Sequence, residues 1–234
     1  MFVIYLSIMN LSELVQKFED AGQGHVFRFF TKLNETEKTA LLQQATEINL
    51  AEISSLSLEW QETGLLSEDY SDLAPAPYIQ HPASGGDESF WGQASALGEE
   101  GLRKGRVAAF TVAGGQGTRL GYNGPKGTFP STPVKGKSLF QVFSEKIRAS
   151  SDRYGNVIEW LIMTSIQNDA ETRAFFKVHD FFGLNCRHVH FFTQGLMPAV
   201  DTSGKILMSS KGRIAMSPDG HGGSLRALVR SGHV

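Results

Sequence analysis

Residues 106–140 read RVAAFTVAGGQGTRLGYNGPKGTFPSTPVKGKSLF. The run 107–112 is almost entirely apolar, with little alternation. That pattern predicts a strand buried on both faces, as in a parallel sheet. Gly114, Gly115, Gly117, Gly121 and Gly124 follow in quick succession, with Arg119 and Lys126 among them. Glycine lets a backbone approach a ligand closely and adopt positive φ. A buried strand running into a glycine-rich turn with fixed cations is suited to cradling phosphate. Ser138 and Gln141 have the spacing of a capping box for the helix after it.

Two familiar nucleotide motifs are excluded. Leu120 stands where the third glycine of GxGxxG belongs, so the dinucleotide fingerprint is broken. The spacing of Gly121 and Lys126 does not make a GxxxxGK[ST] P-loop. The broken fingerprint disfavours a nicotinamide-dependent oxidoreductase.

Composition narrows the classes. The chain has 234 residues, 41% of them hydrophobic, enough for one domain or one and a half. A formal net charge of −2 lacks the basic excess of a nucleic-acid binder. The single cysteine, Cys186, precludes a disulfide framework and a multi-cysteine zinc site. It fits a reducing, cytoplasmic compartment and is expected to be an inert packing residue. Residues 1–9 are apolar but too short to span a bilayer and lack the marks of a signal peptide. No membrane association is expected, and Met9 reads as the natural start.

Upstream of the glycine-rich stretch the pattern is helical. Leu11, Leu14, Val15 and Phe18 fall at i, i+3, i+4, i+7, and Val26, Phe29, Phe30 and Leu33 repeat the spacing. Asn10 with Glu13, Asn34 with Glu37, and Asn49 with Glu52 have cap chemistry. Three to four short helices are therefore expected between 10 and about 58. His25 reads as a surface or core histidine and not as a ligand. Residues 73–86, with three prolines and two glycines, read as an extended linker whose Tyr78 docks on a neighbour. A helix over 90–104, ended by Gly105, leads into the strand.

Downstream, strands at 157–163 and 189–192 alternate with helices. The first of these helices carries Leu139, Val142, Phe143 and Ile147, and the second is capped by Asn168 with Glu171. Such alternation predicts a doubly wound, mostly parallel α/β sheet. Ligands bind beyond the C-terminal ends of its strands, so Gly114 and Gln194 are expected to face one pocket. Short strands at 206–208 and 213–216 follow a turn at 201–204. A second glycine-rich loop, Pro218 to Gly223, then opens a helix at Ser224. The division expected is a helical region over 1–104, with its linker near 73–86, and an α/β domain over 105–234.

AGGQGTRLG followed by GPKG resembles the signature of the UDP-N-acetylhexosamine and related UDP-sugar pyrophosphorylases. Those enzymes join UTP to a sugar 1-phosphate and release pyrophosphate, on a Rossmann-like nucleotidyltransferase fold. LVQKFEDAGQGHVFRFF resembles the family's helical opening, FFTQGLMPAV a base-contacting segment, and MSPDGHGG the segment that closes over uracil and sugar. The resemblance implies nucleotide contacts from Val112, Ala113, Gly114, Gly115, Gly117, Lys126, Gln194, Met216, Pro218 and Gly220. Thr118 either contacts phosphate or only caps. His221 would meet the sugar phosphate. Animal and fungal UDP-N-acetylglucosamine enzymes typically carry asparagine there, so histidine leaves the sugar open between N-acetylglucosamine 1-phosphate, the first choice, and glucose 1-phosphate. The family continues beyond residue 234, and its metal-associated aspartate would lie there. Mg²⁺ is thus expected as cofactor with no ligand assigned in this stretch, and 234 residues alone are expected to be unstable and inactive.

The chemistry implied is nucleotidyl transfer. The sugar-phosphate oxygen is already anionic, so no general base is needed. Catalysis reduces to positioning and charge neutralisation, with Arg119 and Lys126 as the catalytic cations. Gln194 presents a donor and an acceptor that match a uracil edge. The competing reading is a non-catalytic UTP or UDP-sugar-binding module. Oligomeric state is not legible.

Overall fold

The computed structural model describes residues 11–63 and 71–233. The chain divides into two compact units, 1–74 with 196–217, and 75–195 with 218–234. The boundaries differ from the expected 104/105 division. The helix before the first strand belongs to the α/β unit, and a strand-rich excursion from that unit belongs with the N-terminal helices. Asn10, the expected cap partner of Glu13, and the expected start at Met9 lie outside the described residues.

In the helical unit, α1 (Leu11–Asp20) buries Leu14 and Phe18, one turn apart on one face. Two 3₁₀ turns, Gly24–Phe27 and Phe30–Lys32, replace the second amphipathic helix expected around Val26 and Leu33. In this arrangement Val26 and Phe27 are buried and Phe29 is only half-buried. Asn34 caps α2 (Glu35–Glu47) with a reciprocal capping box, its Oδ1 accepting from Glu37 N at 2.9 Å. Asn49 caps α3 (Leu50–Thr63) through Glu52 N. Leu14, Phe18, Leu41 and Ile53 pack with Ile206 and Ile214. Two glutamines bind these strand residues as a neighbouring strand would. Gln23 accepts from Ile206 N and donates to Gly204 O, and Gln44 accepts from Ile214 N and donates to Ile214 O. His25 hydrogen-bonds Ile206 O at 2.7 Å.

The α/β unit begins with an irregular segment in which Tyr78 is 80% exposed, so it does not dock as expected. Asp87 then caps α4 (Glu88–Arg103). Three parallel strands, β1 (Ala109–Val112), β2 (Trp160–Thr164) and β3 (Val189–Thr193), lie in that order. They alternate with α5 (Leu139–Tyr154) and α6 (Asp169–Val178). Only β2 is buried throughout. Its residues alternate: Trp160 and Ile162 join Phe140, Ile147 and Phe176 on one side, and Leu161 and Met163 join Phe192 and Ala227 on the other. Ala227 belongs to α7 (Gly223–Ser231), so helices cover both faces and the doubly wound α/β reading holds.

The expectation for β1 does not hold. Phe110 and Val112 are 38% and 39% exposed, because β1 is an edge strand of this sheet and not a central one. After α6, Asp180, Phe181 and Phe182 all take positive φ, at about 1–2 kcal/mol per residue for L-amino acids. Phe181 packs tilted and Phe182 edge-on against Phe176, which offsets that strain. Cys186 is exposed, not packed as expected.

The excursion between the two passes through the α/β unit carries β4 (Leu196–Pro198), β5 (Met208–Ser210), β6 (Arg213–Ile214) and β7 (Met216–Pro218). β5 and β6 form an antiparallel hairpin, and β4 pairs with β7. Among the described residues no helix is long and apolar enough to cross a membrane.

Candidate active site

The three parallel strands end together. Ala113 N donates to Met163 O at 2.7 Å and Gln194 N to Thr164 O at 2.7 Å, extending the ladder by one residue on each side. This sets Ala113, Ser165 and Gln194 side by side at the C-terminal ends, where α/β sheets bind ligands.

The glycine-rich loop folds back on itself. Gly117 N donates to Gly124 O at 2.9 Å and Lys126 N to Gly115 O at 3.0 Å, an antiparallel bridge between Gln116 and Pro125. The return path brings Lys126 beside Gly115 although eleven positions separate them in sequence. Tyr122 supports the fold-back, with its hydroxyl 3.0 Å from Thr128 Oγ1 and its ring edge-on to Phe129. Gly127 lies against the Phe140 ring, where a Cβ would stand 2.2 Å from ring carbon. Ser138 caps α5 by accepting from Gln141 N.

The second loop closes from the other direction. Gln194 Nε2 donates to Gly220 O at 3.3 Å, and Asp219 N donates to Gly195 O at 3.2 Å. The Asp219 carboxylate occupies the space a Cβ on Gly223 would need, and its Oδ1 has no hydrogen-bond partner among the described residues. Ser224 Oγ donates to His221 O at 2.6 Å.

Between the loops lies a cavity of ≈ 390 Å³. Its walls are the 111–115 backbone, Lys126, Gly127, Gln194, Gly220 and His221, and its apolar floor is Leu139, Phe140 and Phe143. Apolar walls with a few convergent polar groups are the usual make-up of a ligand site. Size alone does not select it. A depression of ≈ 470 Å³ in the helical unit is lined by His25 and Lys205, but both already bond to carbonyls of their own unit.

Of the residues singled out from sequence, Val112, Ala113, Gly114, Gly115, Lys126, Gln194, Gly220 and His221 line this one cavity. Gly117 is buried against Tyr122, and Thr118 and Arg119 lie on an exposed 3₁₀ turn, Thr118–Leu120, away from the lining. Met216 packs on the core of the helical unit, and Pro218 ends β7.

Asn168 departs from expectation. It does not cap α6 through its side chain. Its Oδ1 accepts from Ser165 N at 2.9 Å, and its Nδ2 donates to Ala113 O at 2.9 Å and to Gly115 O at 3.4 Å. Turned back beneath the loop in this way, the side chain is out of reach of the helix amides. The spacing to Glu171 looked like a cap, and nothing local in the sequence shows which way the amide turns. Ser165, buried beside it, has a hydroxyl with no partner among the described residues.

A family model described as UTP–glucose-1-phosphate uridylyltransferase matches residues 86–234, the greater part of the chain. The chain belongs to this family. The probable UDP-N-acetylglucosamine pyrophosphorylase of Schizosaccharomyces pombe is 32% identical over 224 residues, covering 92% of this chain and 46% of that protein. A UDP-N-acetylhexosamine pyrophosphorylase-like protein of Xenopus tropicalis is 34% identical over 226 residues, covering 90% and 43%. The chain thus spans about half the length of the curated relatives it matches. Among solved structures, the uridine diphosphate N-acetylglucosamine pyrophosphorylase of Trypanosoma brucei, in complex with an inhibitor, superposes with a TM-score of 0.72 at 32% identity. That match covers 95% of this chain and 46% of the other. A variant UDP-glucose pyrophosphorylase of Leishmania major, at 17% identity and a TM-score of 0.58 over 98% of this chain and 41% of its own, shares the fold.

Proposed function

We propose that the protein is a uridylyltransferase that joins UTP to a sugar 1-phosphate, N-acetylglucosamine 1-phosphate in the first instance, to give UDP-sugar and pyrophosphate. The observation that carries this reading is the single cavity flanked by Gly115 and Lys126 on one side and by Gln194, Gly220 and His221 on the other. Gln194 and the main chain of Gly115 and Gly220 would hold the uracil edge. Lys126 would neutralise charge on the triphosphate, and His221 would meet the sugar phosphate. Arg119, on its exposed turn, would serve the outer phosphates, with Gly117 and Thr118 shaping that turn. Met216 and Pro218 would lead the second loop to the base.

In the reaction an oxygen of the sugar phosphate forms a bond to the α-phosphorus of UTP. The bond from that phosphorus to the bridging oxygen breaks, and its electrons leave with pyrophosphate. No proton has to be removed from the nucleophile, so the protein's part is alignment and electrostatics. The family reading brings Mg²⁺ with it. Among the described residues, however, the cavity lining includes no carboxylate and no three metal-binding side chains cluster together. The residues present do not make a metal site, and no step is routed through one.

Glucose 1-phosphate is the second reading. It is favoured by His221 in the sugar-facing loop and by the description of the matching family model. Cytoplasmic placement accords with one free cysteine. The test is pyrophosphate release from UTP with each of the two sugar 1-phosphates, the ratio of kcat/KM deciding the substrate. Binding of UTP without turnover by either would instead identify a nucleotide-binding module.

A further inference from the structure

Asn168 is wholly buried, and its side chain bonds to both of the loops that leave β1 and β2. A trans peptide points its carbonyl and its N–H in opposite directions. Pinning Ala113 O toward Asn168 therefore turns the N–H of Gly114 the other way. Gly115 O is held by Lys126 N at 3.0 Å, with Asn168 Nδ2 a second donor at 3.4 Å, and this turns the N–H of Gln116 away in the same manner. Among the described residues neither amide has a hydrogen-bond acceptor. Left to itself, a turn with two adjacent glycines samples many peptide orientations. Here the Asn168 side chain fixes the first of the two peptides, and the Lys126 amide with Asn168 fixes the second.

We propose that Asn168 is a positioning residue for nucleotide binding: it fixes the Ala113–Gly114 peptide plane and braces the Gly115–Gln116 plane that Lys126 N holds, so that two main-chain donors stay presented to a ligand rich in acceptors. The proposal rests on the uridylyl-transfer reading above, which supplies that ligand. Asparagine is suited to the task because it gives N–H to two carbonyls while accepting from Ser165 with its other end. A carboxylate of the same size keeps the Ser165 contact but sets negative oxygen against the carbonyl oxygens of Ala113 and Gly115.

The test compares the full-length protein with its Asn168→Asp variant at pH 8, by amide hydrogen exchange and by calorimetric titration with UTP. The expected result is a far-ultraviolet spectrum unchanged from wild type, exchange at the hydrogen-bonded amides of Ala113, Gly117 and Lys126 faster by about tenfold with β2 unaffected, and a Kd for UTP weaker by about tenfold or more. Asn168→Ser, too short to span both carbonyls, takes its place if the aspartate variant does not fold, with the same expectation. Unchanged exchange in the turn overturns the proposal. So does faster exchange with a UTP affinity within twofold of wild type, which would leave Asn168 a structural tie only. Failure of the wild-type chain to bind UTP in the same titration overturns the functional reading and the ligand assigned here, while the exchange result separately reports whether the tie controls the turn.

Discussion

Gln194 Nε2 donates to Gly220 O at 3.3 Å, while Gln194 Oε1 lies 2.9 Å from the point a Cβ on Gly114 would occupy. One amide thus spans from the first glycine loop to the second. Replacing Gln194 by leucine removes the donor and the acceptor together. UTP binding is expected to weaken by about 10- to 100-fold, the range of one or two lost polar contacts with a partner left unpaired. Calorimetry with UTP measures it. A variant that binds as wild type would remove Gln194 from the base site.

Gly127 and Gly115 separate packing from ligand access. A methyl on Gly127 would collide with the Phe140 ring at 2.2 Å, whereas one on Gly115 meets nothing within 4 Å. Gly127→Ala is expected to cost about 1–3 kcal/mol of stability, as overpacking does. Gly115→Ala is expected to leave the melting temperature nearly unchanged and yet weaken UTP binding, because the added methyl would project to where the proposed function sets the nucleotide against the main chain. Thermal melts and titrations on the two variants check both halves.

The two cations should not be equivalent. Lys126 lines the cavity, and Arg119 sits on the exposed turn outside it. In uridylyl transfer, Lys126→Ala is expected to lower kcat by about 10²–10³-fold, typical for loss of one preorganised charge contact. Arg119→Ala should cost less and be more sensitive to salt, since exposed charges are screened. Pyrophosphate release at two ionic strengths distinguishes them. Equal losses at both would place Arg119 inside the site.

Acid sensitivity is predicted at the opposite end of the strands. Glu159, just before β2, accepts from His188 Nδ1 at 2.7 Å and His190 Nε2 at 2.6 Å. Burial raises its carboxyl, but the hydrogen bonds from His190 and His188 outweigh this and hold it below the ordinary value. A carboxyl lowered in the folded state contributes stability above its unfolded pKa and loses it as pH falls through the folded one. The melting temperature should therefore fall with acid across the carboxylate range. Glu159→Gln should flatten that fall, and an unchanged acid limb would rule Glu159 out as its source.

Much of this architecture is legible in the residues. The helical spacing of Leu14 and Phe18, the box at Asn34, and the alternation of apolar strands with helices each have local causes. Where the reading missed, the deciding contact is remote. The apolar run before the glycine loop looks central, but exposure depends on which strands flank it, and among the described residues β1 has β2 on one side alone. Val26 to Leu33 has helical spacing, but i→i+3 winding satisfies a similar pattern. For the site, the glycines and Lys126 announce themselves by type and density. Asn168 does not, because the two carbonyls it donates to are 53 and 55 positions away and the same residue at the same place serves equally well as a helix cap.

The bond from Asp219 N to Gly195 O closes the base of the excursion that carries β4 through β7. The chain leaves the α/β unit one residue after Gln194 and re-enters just ahead of Gly220, with that bond acting as the clasp. Because the ends are already joined, lengthening or shortening the intervening segment changes the closure entropy only slowly. Changes of length are thus best tolerated in the exposed 201–203 turn of the excursion, since Ile206 and Ile214 are fixed in the core of the helical unit, and they leave the Gln194–Gly220 contact in place.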